Sequence, residues 1–325
     1  MIPRIAEHLI CKNLFKKKAI LLFGARQVGK TTLLENLKCL KTPETLFLNG
    51  DEADIKTLLT HPTSTRLQHT FAGYEIVVID EAQEIEHIGT TLKIITDKLK
   101  NIQVIATGSS AFELANRANE PLTGRKFEFM LFPISYAEMV NHHGFLTENR
   151  LLEVRLIFGY YPEIVNHQGQ ERDYLKLITN SYLYKDLLRL EKIKRSSLLQ
   201  KILEALALQM GGEVSYNELA QLCGTDNKTV LRYIDLLQKA YIIFELKAYS
   251  KNIRNEIKKK KKIYFWDNGI RNAIITSYKT PFALRQDKGA LWENFIVNER
   301  KKRHSYENSE THCFFLRTTQ QKEID

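Results

Sequence analysis

Short, wholly apolar runs separated by helical stripes organise the first half of the chain. Residues 19–23 (Ala-Ile-Leu-Leu-Phe) predict a buried strand. A glycine-containing turn follows, and Leu33, Leu34, Leu37 and Leu40 then fall at helical spacing between Thr31 and Lys41. Leu46-Phe47-Leu48, Ile76-Val77-Val78-Ile79 and Val104-Ile105-Ala106-Thr107 predict three more strands. The run at 76–79, apolar and β-branched throughout, suits a central parallel strand covered on both faces. Leu92 to Leu99 reads as a helix. Strands alternating with helices predict an α/β domain with a parallel sheet. Residues 135–190 read as helical, interrupted at Gly159 and Pro162.

The pattern then changes. Leu198 to Met210 predicts a helix ended by Gly211-Gly212. Ser215 starts a second, with Glu218 placed for a capping box, and this helix ends at Cys223-Gly224. Asp226 begins a third, striped by Val230, Ile234, Leu237 and Ala240. Two strand-like runs follow, 242–246 and 262–266, separated by a basic loop. Three short helices and a hairpin are the element order of a winged helix-turn-helix.

Composition sets the class. At 43% hydrophobic and 26% charged residues, the chain of 325 is neither disordered nor fibrous, and its length suits two or three domains. No apolar run approaches the ~18 residues of a membrane span. No secretory leader is visible, so the expectation is a cytoplasmic protein without membrane contact. Cys11, Cys39, Cys223 and Cys313 lie far apart, and the expectation is free thiols in a reducing compartment. The scattered histidines complete no zinc set. Charge is uneven: residues 1–189 hold 23 Lys/Arg against 22 Asp/Glu, whereas 190–325 hold 25 against 16. A basic C-terminal part favours phosphate backbones or another anionic surface.

Gly24-Ala25-Arg26-Gln27-Val28-Gly29-Lys30-Thr31 matches G-x-x-x-x-G-K-[ST], with a strand before it and a helix after it. Glycines let the backbone curl so that successive N–H groups surround phosphate oxygens. Lys30 supplies a point charge for the β- and γ-phosphates, Thr31 offers its hydroxyl to Mg²⁺, and Thr32 continues the cradle. The strand at 76–79 runs into Asp80 and Glu81. Asp80 is expected to hold Mg²⁺ together with Thr31, and Glu81 to polarise the attacking water. Ser109, after the strand at 104–107, is a candidate γ-phosphate sensor. Arg125, in Leu122-Thr123-Gly124-Arg125, is a candidate arginine finger acting within the subunit or on a neighbour, the latter requiring a homo-oligomer.

These segments, together with Ala82-Gln83, Phe132-Pro133-Ile134-Ser135, Glu138, residues 262–269, Trp292-Glu293-Asn294 and Glu323-Ile324-Asp325, resemble a family of prokaryotic AAA+-type ATPases. In that family the ATPase domain is followed by a C-terminal domain of unknown function. The sequence departs from the family at Gly159-Tyr160-Tyr161-Pro162, where a Gly pair is common. The resemblance implies adenine rather than guanine as the base. It also implies a C-terminal restriction-endonuclease-like part with Glu293 and Asp325 as carboxylates. The Glu-x-Lys of the next strand is absent, so a truncated segment without nuclease activity is expected.

Three domains are thus expected: an AAA+-like P-loop domain with a helical extension over 1–189, a winged helix over 190–268, and an incomplete endonuclease-like α/β segment over 269–325. Lys228 and Arg232, at i and i+4 on the third helix of the winged segment, and Lys258, Lys259, Lys260, Lys261 and Lys262 between its strands, are candidate DNA contacts. The functional expectation is Mg²⁺-dependent ATP binding and slow hydrolysis, coupled to a DNA- or protein-binding module. The alternatives are a nucleotide-gated switch and a DNA-binding regulator with little turnover.

Overall fold

The computed structural model describes residues 2–109, 122–179, 196–249, 261–307, 309, 311–317 and 323–324. The chain forms two compact units, Met1–Phe132 and Pro133–Asp325.

The first unit holds helices α1 (Ile5–Lys12), α2 (Lys30–Asn36), α3 (Ala53–Thr60), α4 (Ser64–Thr70) and α5 (Ile88–Lys98). Its strands are β1 (Ala19–Phe23), β2 (Thr45–Asn49), β3 (Ile76–Asp80), β4 (Gln103–Gly108) and β5 (Lys126–Met130). They form one parallel sheet in the order β2-β3-β4-β1-β5. Every residue of β1 and β4 is buried, as is every residue of β3 except Asp80, so these strands carry no polar face. Edge strand β5 alternates Lys126-Phe127-Glu128-Phe129-Met130 and is only half-buried. That alternation, after a loop, gave no strand signal in the sequence. The helix expected over 31–41 stops at Asn36, because Leu37 turns extended and a short 3₁₀ turn follows.

Cys11 and Cys39 are joined by a disulfide that ties the end of α1 to the segment just after α2. This corrects the expectation of four free thiols: the two residues lie 28 apart in sequence, a separation with no motif to betray it, and the fold brings them together. Cys223 and Cys313 are free.

The second unit begins with five short helices, α6 (Tyr136–His143), α7 (Phe145–Arg150), α8 (Leu152–Phe158), α9 (Pro162–Asn166) and α10 (Glu171–Ile178). Helix α11 (Ser196–Leu208), strand β6 (Glu213–Val214), helices α12 (Tyr216–Cys223) and α13 (Asn227–Lys239), and strands β7 (Ile243–Ala248) and β8 (Lys261–Phe265) follow. Helices α14 (Asn268–Ile274) and α15 (Lys288–Tyr306) and strands β9 (Phe314–Arg317) and β10 (Glu323–Ile324) complete it. Ser215 caps α12 by accepting from the Glu218 amide at 3.4 Å, and Asp226 caps α13 by accepting from the Thr229 amide at 2.9 Å. The stripe Val230, Tyr233, Ile234, Leu237 of α13 is buried.

Compactness divides the chain at 132/133, not at 189/190 or 268/269. Two observations give the reason. Asn272 of α14 donates to the carbonyls of Leu156 and Ile157 in α8 at 3.3 and 2.8 Å, and Asp267 accepts from the Tyr160 amide at 2.7 Å. The mixed sheet β10-β9-β7-β8-β6 also runs across residue 268, with β9 parallel to β7. Helix α15 is clasped to β8 by Asn294, which accepts from the Phe265 amide at 2.9 Å and donates to its carbonyl at 3.0 Å. Among the described residues no helix is long and apolar enough to cross a membrane.

Candidate phosphate-binding site

The Gly24–Thr31 loop leaves the carboxyl end of interior strand β1, where α/β sheets bind their ligands. Gly24 is required by close approach: a Cβ there would lie 2.3 Å from the Leu131 carbonyl oxygen. Gly29 takes a left-handed conformation (φ 91°) immediately before α2. Among the described residues the amides of Gln27, Val28 and Gly29 have no hydrogen-bond acceptor. Lys30 is buried, and its ammonium donates to the carbonyls of Gly24 and Ala25, both at 3.0 Å. Open amides curled around a fixed ammonium make a donor set that fits a polyphosphate. Ala25, Arg26 and Thr32 belong to the same loop and first helical turn.

Strand pairing carries the carboxylates to this loop. The Thr31 hydroxyl donates to Asp80 Oδ2 at 2.6 Å, and Thr107, at the end of β4, donates to Asp80 Oδ1. The Thr107 Oγ also accepts from the Glu81 amide at 3.0 Å. One buried hydroxyl thus fixes the whole Asp80-Glu81 corner. Glu81 itself adopts a left-handed conformation (φ 48°), a strained geometry for a non-glycine residue. Gln83 donates its side-chain amide to the Glu81 carboxylate and to Ser109 Oγ, the latter at 3.3 Å. The fold therefore brings Lys30, Thr31, Asp80, Glu81 and Ser109 together. The pairing of Thr31 with a carboxylate that keeps oxygens on the loop side suits a hard cation such as Mg²⁺.

Three residues of this site were not among those expected. Thr107 and Gln83 sit inside recognised segments, but nothing in composition marks their side chains. Arg4, preceding α1, is buried and donates to the carbonyls of Val28 at 3.0 Å and Phe132 at 2.6 Å, bracing the loop. A single arginine near the start of a chain has no sequence signal.

Arg125 lies elsewhere. Its carbonyl accepts from Ala19, at the start of β1, while the phosphate loop leaves after Phe23. Four residues of strand separate them by ~13 Å. Its guanidinium is ion-paired with Asp97 at 2.7 Å. Arg125 is therefore not placed at the phosphate loop in this structure.

The candidate DNA contacts divide. Lys228 and Arg232 are exposed on one face of α13. Lys261 and Lys262 are not loop residues: they open β8, which is paired on both sides. Lys261 pairs with Glu245 at 2.6 Å; Lys262 is buried and pairs with Glu293 at 3.3 Å. Strand β8 thus begins one residue before the run expected at 262–266, and both lysines are engaged by carboxylates. Lys258, Lys259 and Lys260 lie outside the described residues, as do Ser110 and Asp325. Glu293, expected to be a nuclease carboxylate, also accepts from the Tyr264 hydroxyl at 2.6 Å.

Comparisons with known proteins agree with this geometry. Residues 16–140 match the family described as an AAA domain, and residues 149–280 match a domain of unknown function (DUF8612). The chain is 22% identical over 300 residues to an uncharacterized protein of Haemophilus influenzae, covering 85% of this chain and 71% of that protein. It is 25% identical over 304 residues to an uncharacterized protein of Methanocaldococcus jannaschii (80% and 63% covered). It is 26% identical over 301 residues to one of Mycobacterium tuberculosis (91% and 65%). The chain thus spans between 63% and 71% of the length of these relatives. Among solved structures, a Walker-type ATPase of Pyrococcus abyssi superposes with a TM-score of 0.57 at 17% identity, covering 85% of this chain and 96% of that one. The segment that matches the AAA domain thus contains the Gly24–Thr31 loop and the whole parallel sheet, and the fold is shared with that ATPase.

Proposed function

We propose that the first unit binds a nucleoside triphosphate, ATP, with Mg²⁺, and hydrolyses it slowly. The observation that carries this reading is the continuous chain of contacts Lys30–loop carbonyls, Thr31–Asp80–Thr107 and Glu81–Gln83–Ser109. Bound Mg²⁺ would neutralise charge on the β- and γ-phosphates, held by Thr31 directly and by Asp80. The loop amides and Lys30 bind and orient the polyphosphate. Glu81 takes a proton from the attacking water, and Ser109 reports on the γ-phosphate. Steady-state ATP hydrolysis with Lys30→Ala as the blank tests this; turnover equal to the blank, with no nucleotide binding by the parent, refutes it.

The amide of Gln83 on the Glu81 carboxylate favours a second reading, a nucleotide-gated switch. The hydrogen bond occupies a Glu81 oxygen that the attacking water would need. Turnover would stay low until Gln83 moves. A partner that raises turnover without changing ATP affinity would distinguish the switch from a constitutive ATPase.

We further propose that residues 196–265 form a winged helix in which the exposed Lys228 and Arg232 of α13 meet the phosphates of duplex DNA. The order of three helices and strands β6, β7 and β8 supports it. Titration of labelled duplex at two salt concentrations tests it: affinity should fall with salt and with Lys228→Ala/Arg232→Ala. Salt-independent binding, or none at low salt, would favour a protein partner on this face instead. A homo-oligomer in which Arg125 serves a neighbouring subunit would show as loss of turnover in Arg125→Ala with unchanged ATP affinity.

A further inference from the structure

The second unit holds a cavity of about 340 Å³ with an unusual charge on its wall. It lies where β9 begins: the β7–β9 pairing starts at Lys247↔Phe314, so Glu245 has no partner in β9. Strand β7 contributes Glu245 and Lys247, helix α15 contributes Lys301 and His304, and the following segment contributes Ser309 and Cys313.

Lys301 is the key residue. Its ammonium stands 4.9 Å from the ring centre of Phe244 and 5.9 Å from that of Trp266. Burial pushes it below the ordinary lysine range, with Cys313 pulling weakly the other way. Among the described residues no carboxylate pairs with it. Glu245, the one acidic residue on the wall, is already engaged by the Tyr216 hydroxyl at 2.5 Å and Lys261 at 2.6 Å. Two aromatic faces compensate a partly buried cation less well than an anion does. The remaining wall carries hydroxyl groups: Ser309 donates to Thr311 at 3.1 Å and lies 3.1 Å from His304 Nδ1, so the Thr311 hydroxyl keeps its own proton for a ligand. The half-charge at the carboxyl end of α15 opposes an anion, while Lys247 and Lys301 on the wall favour one.

We propose that this cavity binds a phosphate group, with the Lys301 ammonium as its principal ligand. Hydroxyl and ammonium donors around a point charge suit a tetrahedral, multiply accepting anion. The volume lies in the range of small-molecule sites and exceeds what inorganic phosphate alone would fill. The group therefore belongs to a phosphomonoester, either a free small molecule or the phosphorylated end of a nucleic acid. All of its lining residues belong to the second unit.

Cys313 makes the proposal testable, because it is a free thiol on the wall while Cys223 is a buried free thiol remote from it in sequence. The full chain is alkylated with iodoacetamide, and each cysteine peptide is followed by mass spectrometry. Inorganic phosphate should slow alkylation of Cys313, about tenfold at ten times its dissociation constant by mass action. Chloride at matched ionic strength should not, and Cys223 should be indifferent to both. Lys301→Met keeps an apolar stem against Phe244 and Trp266 and should abolish the protection. Equal Cys313 rates in phosphate and chloride for the parent protein would overturn the proposal whether or not the variant folds. So would protection that survives in Lys301→Met. Repeating the experiment with a nucleoside 5′-monophosphate and with a 5′-phosphorylated oligonucleotide separates the two sources: the true ligand protects at the lower concentration.

Discussion

Gln83 joins Glu81 to Ser109: one side-chain amide donates to the carboxylate at the end of β3 and to the hydroxyl beyond β4. The expected base and the expected sensor are therefore parts of one hydrogen-bonded unit. Gln83→Ala should leave ATP affinity within about twofold while changing turnover, upward if Gln83 restrains the base and downward if it positions it. Glu81→Gln should retain ATP and lower turnover at least ~100-fold. Normal hydrolysis by Glu81→Gln would remove Glu81 from the role of base.

Arg4 supports the loop from the amino-terminal side through Val28 and Phe132. Arg4→Ala leaves two carbonyls without their charged donor and should cost about 2–4 kcal/mol of stability. ATP affinity should fall more than in a surface control such as Arg172→Ala. Equal stability of Arg4→Ala and parent in urea would show that the brace is dispensable.

The Cys11–Cys39 disulfide closes a loop of 28 residues. By the chain-entropy estimate it contributes up to about 3–4 kcal/mol. Reductant should lower the melting temperature by about 10 °C in the parent and by nothing in Cys11→Ser. A melting curve indifferent to reductant would mean the bridge does not stabilise the protein.

Asp267 gives a pH dependence of defined sign. Burial pushes its carboxyl up to about 6, against hydrogen bonds from the Tyr160, Ile270 and Gly269 amides and the nearby Lys302 charge. The native state then keeps its proton to higher pH than the unfolded chain does. The contribution is complete below the ordinary aspartate value and is lost as pH rises through about 6. Between pH 5 and 7 this group alone should remove about 1 kcal/mol. Urea melts of parent and Asp267→Asn at both values check it: the parent should lose that much more than the variant. An equal change in both would sink the assignment.

Legibility in the sequence followed burial. Strands β1, β3 and β4 were readable because both faces are covered and every position is apolar; β5 was not, because an edge strand with Lys126 and Glu128 looks like loop. The phosphate loop and Asp80-Glu81 were readable because their chemistry demands fixed residue types at fixed spacing. Thr107 and Arg4 were not, since their roles are set by partners 27 and 24 positions away. Lys262 misled for a related reason. Within a basic run it was a candidate DNA contact, yet β8 is buried from Lys262 onward, and Lys262 and Tyr264, on one face of the strand, both reach Glu293 from α15.

The parallel pairing of β9 with β7 bears on the order in which the second unit assembles. Strands β7 and β8 are hairpin neighbours, whereas Lys247 meets Phe314 only after α14 and α15 have been traversed. Closing that longer loop costs more chain entropy, so the hairpin with β6 can zip early while the β9 edge waits. A nascent chain emerging from the ribosome would then carry an open β7 edge until β9 arrives. That is the interval in which pairing with another chain competes with the native strand.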